Sequence, residues 1–229
     1  MSRGTSSVGW FGAPRVSRVS AAWFRILGWV GGIFLKPSLR FSMSYVRETG
    51  ETYVAVELRR GGSLSVSTPV PFLTHMVETF LLYSGLGGVV EARVKRDLDD
   101  NHHVIEDVAI ALGRAIDKLL GDRTAIARFG WAAVPMDDAL ALAAVDLGGR
   151  SYWVVKARLP DMTIGGYPLY MFRHWVRSLA SEARAAIHIY VRGRDPHHKV
   201  EVAHKALGLA FRQALLPADM PLTTKGTFT

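Results

Sequence analysis

The chain has 229 residues, of which 49% are hydrophobic and 21% charged, a balance typical of globular proteins that excludes a wholly disordered one. It contains no cysteine, which excludes disulfides, zinc–thiolate centres and cysteine nucleophiles, so any metal site must use His, Asp or Glu. The formal net charge is +8, but no dense basic run stands beside interleaved aromatic residues, so we expect a small anionic partner and no nucleic acid.

The first 42 residues differ in composition from the rest of the chain. They contain no acidic residue, and an apolar run, AAWFRILGWVGGIFL, covers residues 21–35. Arg25 interrupts this run, which is also shorter than the ~20 apolar residues needed to cross a bilayer. We therefore expect no membrane partner and a cytoplasmic protein. Residues 1–42 are interpreted as an N-terminal extension that is either disordered or the product of a start codon assigned before Met43, and a targeting segment is the third alternative.

The remaining sequence alternates strand patterns with helix patterns. Strands are indicated by period-two alternation of apolar residues, and helices by apolar residues three and four positions apart. Strands are predicted at residues 53–58, 63–67, 89–95, 146–159 and 186–192, and helices at residues 72–83, 102–120, 172–184 and 197–215.

A histidine motif occurs twice along this series of elements. DNHHVIED covers residues 100–107 and DPHHKVEV covers residues 195–202, and both contain His-His-x-x-Glu at the start of a predicted helix. A lone histidine precedes each motif, His75 in the first half and His174 in the second. Similarity at a fixed period indicates an internal duplication. The sequence therefore predicts an α+β fold of two similar halves, residues 43–130 and 131–229.

The motif places its polar side chains on one face of each helix. At about 100° per residue, the two histidines and the glutamate share an arc opposite the apolar stripe. Adjacent histidines diverge by about 100°, so two ions fit better than one. Nitrogen-rich sites without thiolate suit Mn²⁺, Fe²⁺, Co²⁺, Ni²⁺ or Zn²⁺. The candidate ligands are His75, His102, His103, Glu106, His174, His197, His198 and Glu201. Asp107, at the border of this face, is expected either to orient His103 or to be solvated.

Several motifs together resemble the imidazoleglycerol-phosphate dehydratase family. They include R-x-T-x-E-T at residues 47–52, FLTHM at 72–76, PMDDA at 135–139, HWVRSL at 174–179 and TTKG at 223–226, besides the two His-His-x-x-Glu motifs. The resemblance covers about residues 45–229. It implies that each half is a four-stranded sheet with two helices packed on one face. It also implies homo-oligomers, trimers assembled into a 24-mer, with two Mn²⁺ ions in each interfacial active site.

The resemblance assigns roles to further residues. Glu51 matches the acid–base glutamate of the family. Asp137 lies where it could hold a ligand or the substrate. The residues that match the family's phosphate contacts are Arg128, Arg150, Lys205, Thr223 and Lys225.

The reaction implied is the dehydration of D-erythro-imidazoleglycerol phosphate to imidazole acetol phosphate in L-histidine biosynthesis. The hydrogen to be lost is bonded to carbon and is not acidic. A Lewis acid on each ring nitrogen favours the imidazolate form, whose electron density can expel the hydroxyl group. Two metal ions on one five-membered ring would account for two symmetric clusters.

Two other interpretations use the same metal ligands. One is a different dinuclear His/Glu metalloenzyme acting on a phosphorylated small molecule, which would not need this set of phosphate contacts. The other is a non-catalytic metal-binding assembly protein, against which Glu51 and the paired arginines argue.

Overall fold

The structure is a computed structural model that describes residues 1, 42–96, 99–220 and 222–223. The interpretation of residues 2–41 as an extension therefore lies outside the described residues. The first half contains β1 (Ser42–Glu48), β2 (Thr52–Ser67), α1 (Pro71–Ser84), β3 (Leu86–Val94) and α2 (His102–Leu120).

The first sheet has the order β1-β2-β3, and its long strand β2 changes direction at Gly61 and Gly62. Residues 52–60 pair antiparallel with β3. Residues 64–67 then follow β3 in the same direction, from Leu64 opposite Gly88 to Ser67 opposite Glu91. Gly88 also faces Leu58, so the two stretches of β2 lie on opposite edges of β3. The sheet thus has four extended segments.

The second half repeats this arrangement. It contains β4 (Phe129–Met136), β5 (Ala139–Asp146), β6 (Tyr152–Lys156), β7 (Thr163–Ile164), β8 (Tyr167–Pro168), α3 (Met171–Glu182), β9 (Ala186–Arg192) and α4 (Pro196–Ala214). Its main sheet has the order β4-β5-β9-β6, in which β5 is antiparallel and β6 parallel to β9. This matches the segment order of the first sheet, so the predicted α+β fold of two similar halves is confirmed. The β7–β8 hairpin is additional to the repeat.

The helices of the two halves pack against each other in crossed pairs, α1 with α4 and α2 with α3. A glycine stands at the same position in two of them, eleven residues after the first histidine of each motif. A Cβ added to Gly113 of α2 would lie 2.7 Å from Cβ of Glu182, and one added to Gly208 of α4 would lie 2.7 Å from the carbonyl oxygen of Phe80. The two glycines therefore permit the close approach of each pair.

The core lies between the sheets and these helices. In α2 the buried stripe includes Val104, Val108, Leu112 and Ala115, the face predicted to lie opposite the metal ligands. No helix in the described part of the chain is long and apolar enough to cross a membrane.

Five strands were not predicted from the sequence, namely β1, β4, β5 and the two-residue strands β7 and β8. Strand β5 reads ALALAAVD, and alanine is depleted in strands, so its alternation is weak. Strand β4 contains Pro135, which is tolerated because β4 is an edge strand. The single strand predicted at residues 146–159 is correct only for part of that range: Asp146 is the last residue of β5, the chain then turns, and β6 covers residues 152–156.

Candidate metal centre

The first cluster of candidate metal ligands joins α1 to α4. Nε2 of His75 lies 3.6 Å from Oε2 of Glu201, and Nε2 of His197 lies 3.1 Å from the same oxygen. Burial alone would raise the pKa of Glu201, but the hydrogen bond and charge of Lys205, with smaller contributions from His75 and His197, lower it below its ordinary value. A carboxylate with a lowered pKa is ionised at neutral pH and can act as a metal ligand.

The second cluster joins α2 to α3. Nε2 of His102 lies 3.7 Å from Oε2 of Glu106, and Nε2 of His174 lies 2.9 Å from Oε1 of Glu106. The rings of His102 and His174 have centroids 4.9 Å apart. Each cluster therefore combines the lone histidine of one half with the His-His-x-x-Glu motif of the other half.

These clusters suit a divalent transition-metal ion. In the part of the chain that the structure describes, two groups of three ligands have donor atoms within 4.8 Å of one another. Donor atoms bound at about 2.1 Å to one ion lie at most about 4.2 Å apart, so only small side-chain movements are needed. Nε2 of His174 is buried and close to Glu106 but has no hydrogen-bonding geometry to it. A bound cation would satisfy both groups.

Six of the eight predicted ligands are brought together in this way, and His103 and His198 lie outside both clusters. Nδ1 of His103 is 2.6 Å from Oδ2 of Asp99 and 3.1 Å from Oε2 of Glu51. Nδ1 of His198 is 2.7 Å from Oδ1 of Asp138. The divergence of adjacent histidines expected from the helical geometry is therefore observed.

Glu51 lies in a tightly bonded turn between β1 and β2. Oγ1 of Thr49 accepts hydrogen bonds from the backbone N–H groups of Glu51 (3.1 Å) and Thr52 (3.0 Å). Asp107 of α2 accepts hydrogen bonds from Nε of Arg47 (2.6 Å) and from the Thr52 hydroxyl. Asp107 is buried, so the expectation of a solvated acid is wrong, and its carboxylate fixes this turn instead of orienting His103.

Asp138 was missed in the sequence, where Asp137 was selected instead. Asp137 is exposed and lies 3.7 Å from Nε2 of His198. Asp138 bonds His198 and accepts hydrogen bonds from the backbone N–H groups of Arg194 and Asp195 (2.9 Å to the latter). The hydrogen bond with His198 is the main reason why the pKa of Asp138 is held well below its ordinary value, and it raises the pKa of His198. The signal in the sequence was the pair of consecutive acids, Asp137 and Asp138. In the tight turn between β4 and β5 their side chains point in different directions, so only one of them bonds His198 closely.

Of the predicted phosphate contacts that the structure describes, Lys205 lies at the first cluster, whereas Arg128 bonds groups elsewhere. Arg128 donates to both carboxylate oxygens of Asp146, from Nε (2.7 Å) and Nη2 (2.9 Å), and Nη1 donates to the carbonyl of Leu222 (2.6 Å). Its backbone N–H bonds the carbonyl of Ala214, at the C-terminal end of α4. Arg150 is exposed in the loop after β5, Thr223 is half-buried, and Lys225 lies outside the described residues. Nζ of Lys205 lies 2.9 Å from Oε1 of Glu201.

The fold and these side chains define a duplicated α+β protein with two candidate sites for divalent metal ions, each shared by both halves. The family model for imidazoleglycerol-phosphate dehydratase matches residues 68–211. The chain therefore belongs to the imidazoleglycerol-phosphate dehydratase family, whose members are hydro-lyases of histidine biosynthesis.

Individual relatives agree with this assignment. The imidazoleglycerol-phosphate dehydratase of Pyrobaculum calidifontis is 75% identical over 184 residues, covering 80% of this chain and 98% of that protein. The Caldivirga maquilingensis protein of the same name is 54% identical over 171 residues, covering 74% of this chain and 88% of the relative. Among solved structures, the Pyrococcus furiosus enzyme in complex with (S)-C348 has a TM-score of 0.70 at 36% identity, covering 80% of this chain and 99% of that one.

Proposed function

We propose that this chain dehydrates D-erythro-imidazoleglycerol phosphate to imidazole acetol phosphate in L-histidine biosynthesis, as a cytoplasmic enzyme with two Mn²⁺ ions per active site. The observation that carries the proposal is the pair of equivalent clusters on one chain, since an imidazole ring has two nitrogens to be held. The six clustered side chains, together with His103 and His198, supply nitrogen and carboxylate donors suited to Mn²⁺, although Fe²⁺, Co²⁺, Ni²⁺ or Zn²⁺ would also be accepted. When bound, the ions supply Lewis acidity at the ring nitrogens, which favours the imidazolate form of the substrate.

Glu51 is proposed to move the proton that this reaction requires. Its carboxylate is 3.1 Å from Nδ1 of His103, so it lies beside a proposed metal ligand, where a ring held by the metal ions would be within its reach. The turn around it is held by Thr49 and by Asp107, which keeps the carboxylate in place. In this position Glu51 would donate a proton to the departing hydroxyl or accept one from the neighbouring carbon.

Phosphate binding is assigned to Arg128, Arg150, Lys205, Thr223 and Lys225, and it requires a second copy of the chain. Arg128 lies at the C-terminal end of α4, whereas His197 lies at the N-terminal end of the same helix. At 1.5 Å per residue the two ends are about 25 Å apart, much further than one small phosphate ester reaches. We therefore propose that one copy holds the ring, with its Lys205 beside the first cluster, and that Arg128 of another copy binds the phosphate.

A large apolar surface supports this assembly. Phe129, Trp131, Leu140, Leu142 and Tyr190 are exposed on the face of the second sheet that points away from the helices. Exposed apolar areas of this kind on a globular protein mark interaction surfaces. We propose that copies of the chain form trimers that assemble further into a 24-mer with interfacial active sites.

The test is a dehydration assay on imidazoleglycerol phosphate after the metal has been stripped with EDTA. We expect no product from the stripped protein and recovery of activity when Mn²⁺ is added back. Formation of product at the same rate without metal would contradict the metal-dependent mechanism. Absence of product under every metal condition would contradict the proposed function itself.

A further inference from the structure

The duplicated fold places a carboxylate from an equivalent turn beside the second histidine of each motif. Glu51, in the β1–β2 turn, approaches Nδ1 of His103 to 3.1 Å. Asp138, in the β4–β5 turn, approaches Nδ1 of His198 to 2.7 Å. The two turns occupy the same position in their halves, yet the function proposed above assigns proton transfer only to Glu51.

The surroundings of the two carboxylates differ at one position. In the first half Asp99 lies 2.6 Å from Nδ1 of His103, closer than Glu51 does, so Asp99 already orients this ring. The equivalent position in the second half, three residues before the first histidine, is Arg194, which offers no acceptor side chain. In the second half, Nδ1 of His198 is instead hydrogen-bonded to Oδ1 of Asp138.

Asp138 is itself held rigidly. Its Oδ2 accepts hydrogen bonds from the backbone N–H groups of Arg194 and Asp195, which leaves Oδ1 directed at His198. Asp195 in turn caps α4 by accepting hydrogen bonds from the backbone N–H groups of His197 (2.7 Å) and His198 (3.3 Å). Both the backbone and the ring of His198 are therefore fixed by acidic side chains.

We propose that Asp138 is a positioning residue that keeps His198 in the tautomer with a proton on Nδ1, so that Nε2 presents its lone pair to a metal ion. A neutral imidazole carries one proton, and an acceptor at Nδ1 retains it there. Carboxylates bonded to metal-binding histidines act in this way and affect metal affinity. Because Asp99 performs this task in the first half, Glu51 remains available for proton transfer, whereas Asp138 does not. This inference rests on the proposed metal-binding function of His198.

The tautomer can be measured in the metal-free, full-length protein by solid-state NMR with ¹⁵N-labelled histidine at a pH where the ring is neutral, with the His198→Gln variant to assign the signal. We expect a protonated Nδ1 and an unprotonated Nε2 at His198. In Asp138→Asn the amide oxygen can still accept from Arg194 and Asp195, but the amide NH₂ then faces Nδ1 and favours a proton on Nε2. A wild-type His198 protonated on Nε2, or a tautomer unchanged in Asp138→Asn, would overturn the proposal.

Metal affinity provides the second measurement. Mn²⁺ titration of Asp138→Asn is compared with Asp161→Asn, the same change at an exposed position. We expect Asp138→Asn alone to bind Mn²⁺ about 10- to 100-fold more weakly, with kcat largely recovered at saturating Mn²⁺. Equal affinities in the two variants would exclude a positioning role. A wild-type protein that binds Mn²⁺ but forms no product would instead contradict the proposed function and leave the tautomer result standing.

Discussion

At the scale of single residues, the candidate site contains carboxylates that contact other groups of the protein as well as carboxylates proposed to bind a metal ion. Asp107 follows the proposed ligand Glu106 in α2, and its carboxylate reaches back to Arg47 and Thr52 on both sides of the Glu51 turn. The helix that carries ligands and the turn that carries the proposed acid–base group are thereby joined by two hydrogen bonds. A shift of one would displace the other.

Replacement of Glu51 by Gln removes the group that exchanges the proton but retains its size. We expect turnover to fall by about 10²- to 10⁴-fold, because this is the usual contribution of a general acid or base. Metal content, measured by elemental analysis, should stay at the wild-type value. Glu57→Gln, an equal change on an exposed position of β2, serves as the control. Unchanged turnover in Glu51→Gln would rule out the acid–base role.

Replacement of Asp107 by Asn leaves Arg47 without its charged partner and weakens the bond to Thr52. We expect the free energy of unfolding to fall by about 1–3 kcal/mol, because a buried group loses a charge-assisted hydrogen bond. Activity should fall as well, because the Glu51 turn is no longer fixed to α2. Thermal unfolding and kcat are the measurements. A melting temperature and kcat equal to those of Asp161→Asn would contradict this account.

The sequence predicted which histidines and glutamates come together better than it predicted the acids that contact them. His-His-x-x-Glu is a local pattern, and its spacing on a helix determines which side chains share a face, so Glu106 and Glu201 could be selected without a structure. Asp99 and Asp138 could not, because their orientation depends on a loop and on a turn that packs against another helix. Asp107 was assigned to the wrong neighbour for the same reason, since Arg47 is 60 residues away in sequence.

At the scale of secondary-structure elements, the amphipathic helices were predicted within a few residues of their observed ends, whereas the alanine-rich strand β5 was not found. A helix of 19 residues presents its apolar stripe several times, but a strand of eight residues with small side chains gives little contrast between its faces. The sequence also did not predict which helices pack against each other. Their close packing depends on Gly113 and Gly208, each of which lies against the backbone or Cβ of a helix from the other half.

Replacement of Gly113 or Gly208 by Ala tests this packing. Alanine favours an isolated helix by about 1 kcal/mol over glycine. We nevertheless expect each variant to be destabilised by about 1–3 kcal/mol, because the added methyl group would overlap atoms that cannot move independently. Chemical denaturation measures the effect. Gly50→Ala, where no atom lies within 4 Å of the added Cβ, should be nearly neutral. A higher free energy of unfolding in Gly113→Ala or Gly208→Ala would contradict this account, because it would mean that the two helices of the pair can move apart to accommodate the methyl group.

At the scale of the whole molecule, the proposed acid–base residue Glu51 and the proposed phosphate ligand Arg128 lie at opposite ends. Glu51 and His103 are at the N-terminal end of α2. Arg128 is at the other end of α2. Its carbonyl accepts a hydrogen bond from the backbone N–H of Leu147, and the carbonyl of Leu147 accepts one from Arg123, which lies just after α2. A helix of this length separates the two ends by about 25 Å. One chain therefore cannot present both ends to one substrate molecule.

Mixing of two inactive variants tests the sharing of sites between copies. Glu51→Gln and Arg128→Ala should each be inactive alone, because each lacks one necessary group. After the two are dissociated, mixed in equal amounts and reassembled, up to about one quarter of the sites would combine an intact Glu51 with an intact Arg128 from different copies. Activity should therefore return in the mixture. If the mixture is as inactive as its components, each site is built from one copy.

The crossed helix pairs bear on how such a chain could originate. A polypeptide with only one half would carry a lone histidine and a His-His-x-x-Glu motif on helices that pack mainly against helices of the other half, and each cluster joins helices from both halves. Such a short ancestor could complete a cluster only by pairing with a copy of itself, and a symmetric pair would complete two clusters at once. Tandem fusion of its gene would then convert that homodimer into a single chain and free the halves to diverge, as the exchange of Asp99 for Arg194 illustrates.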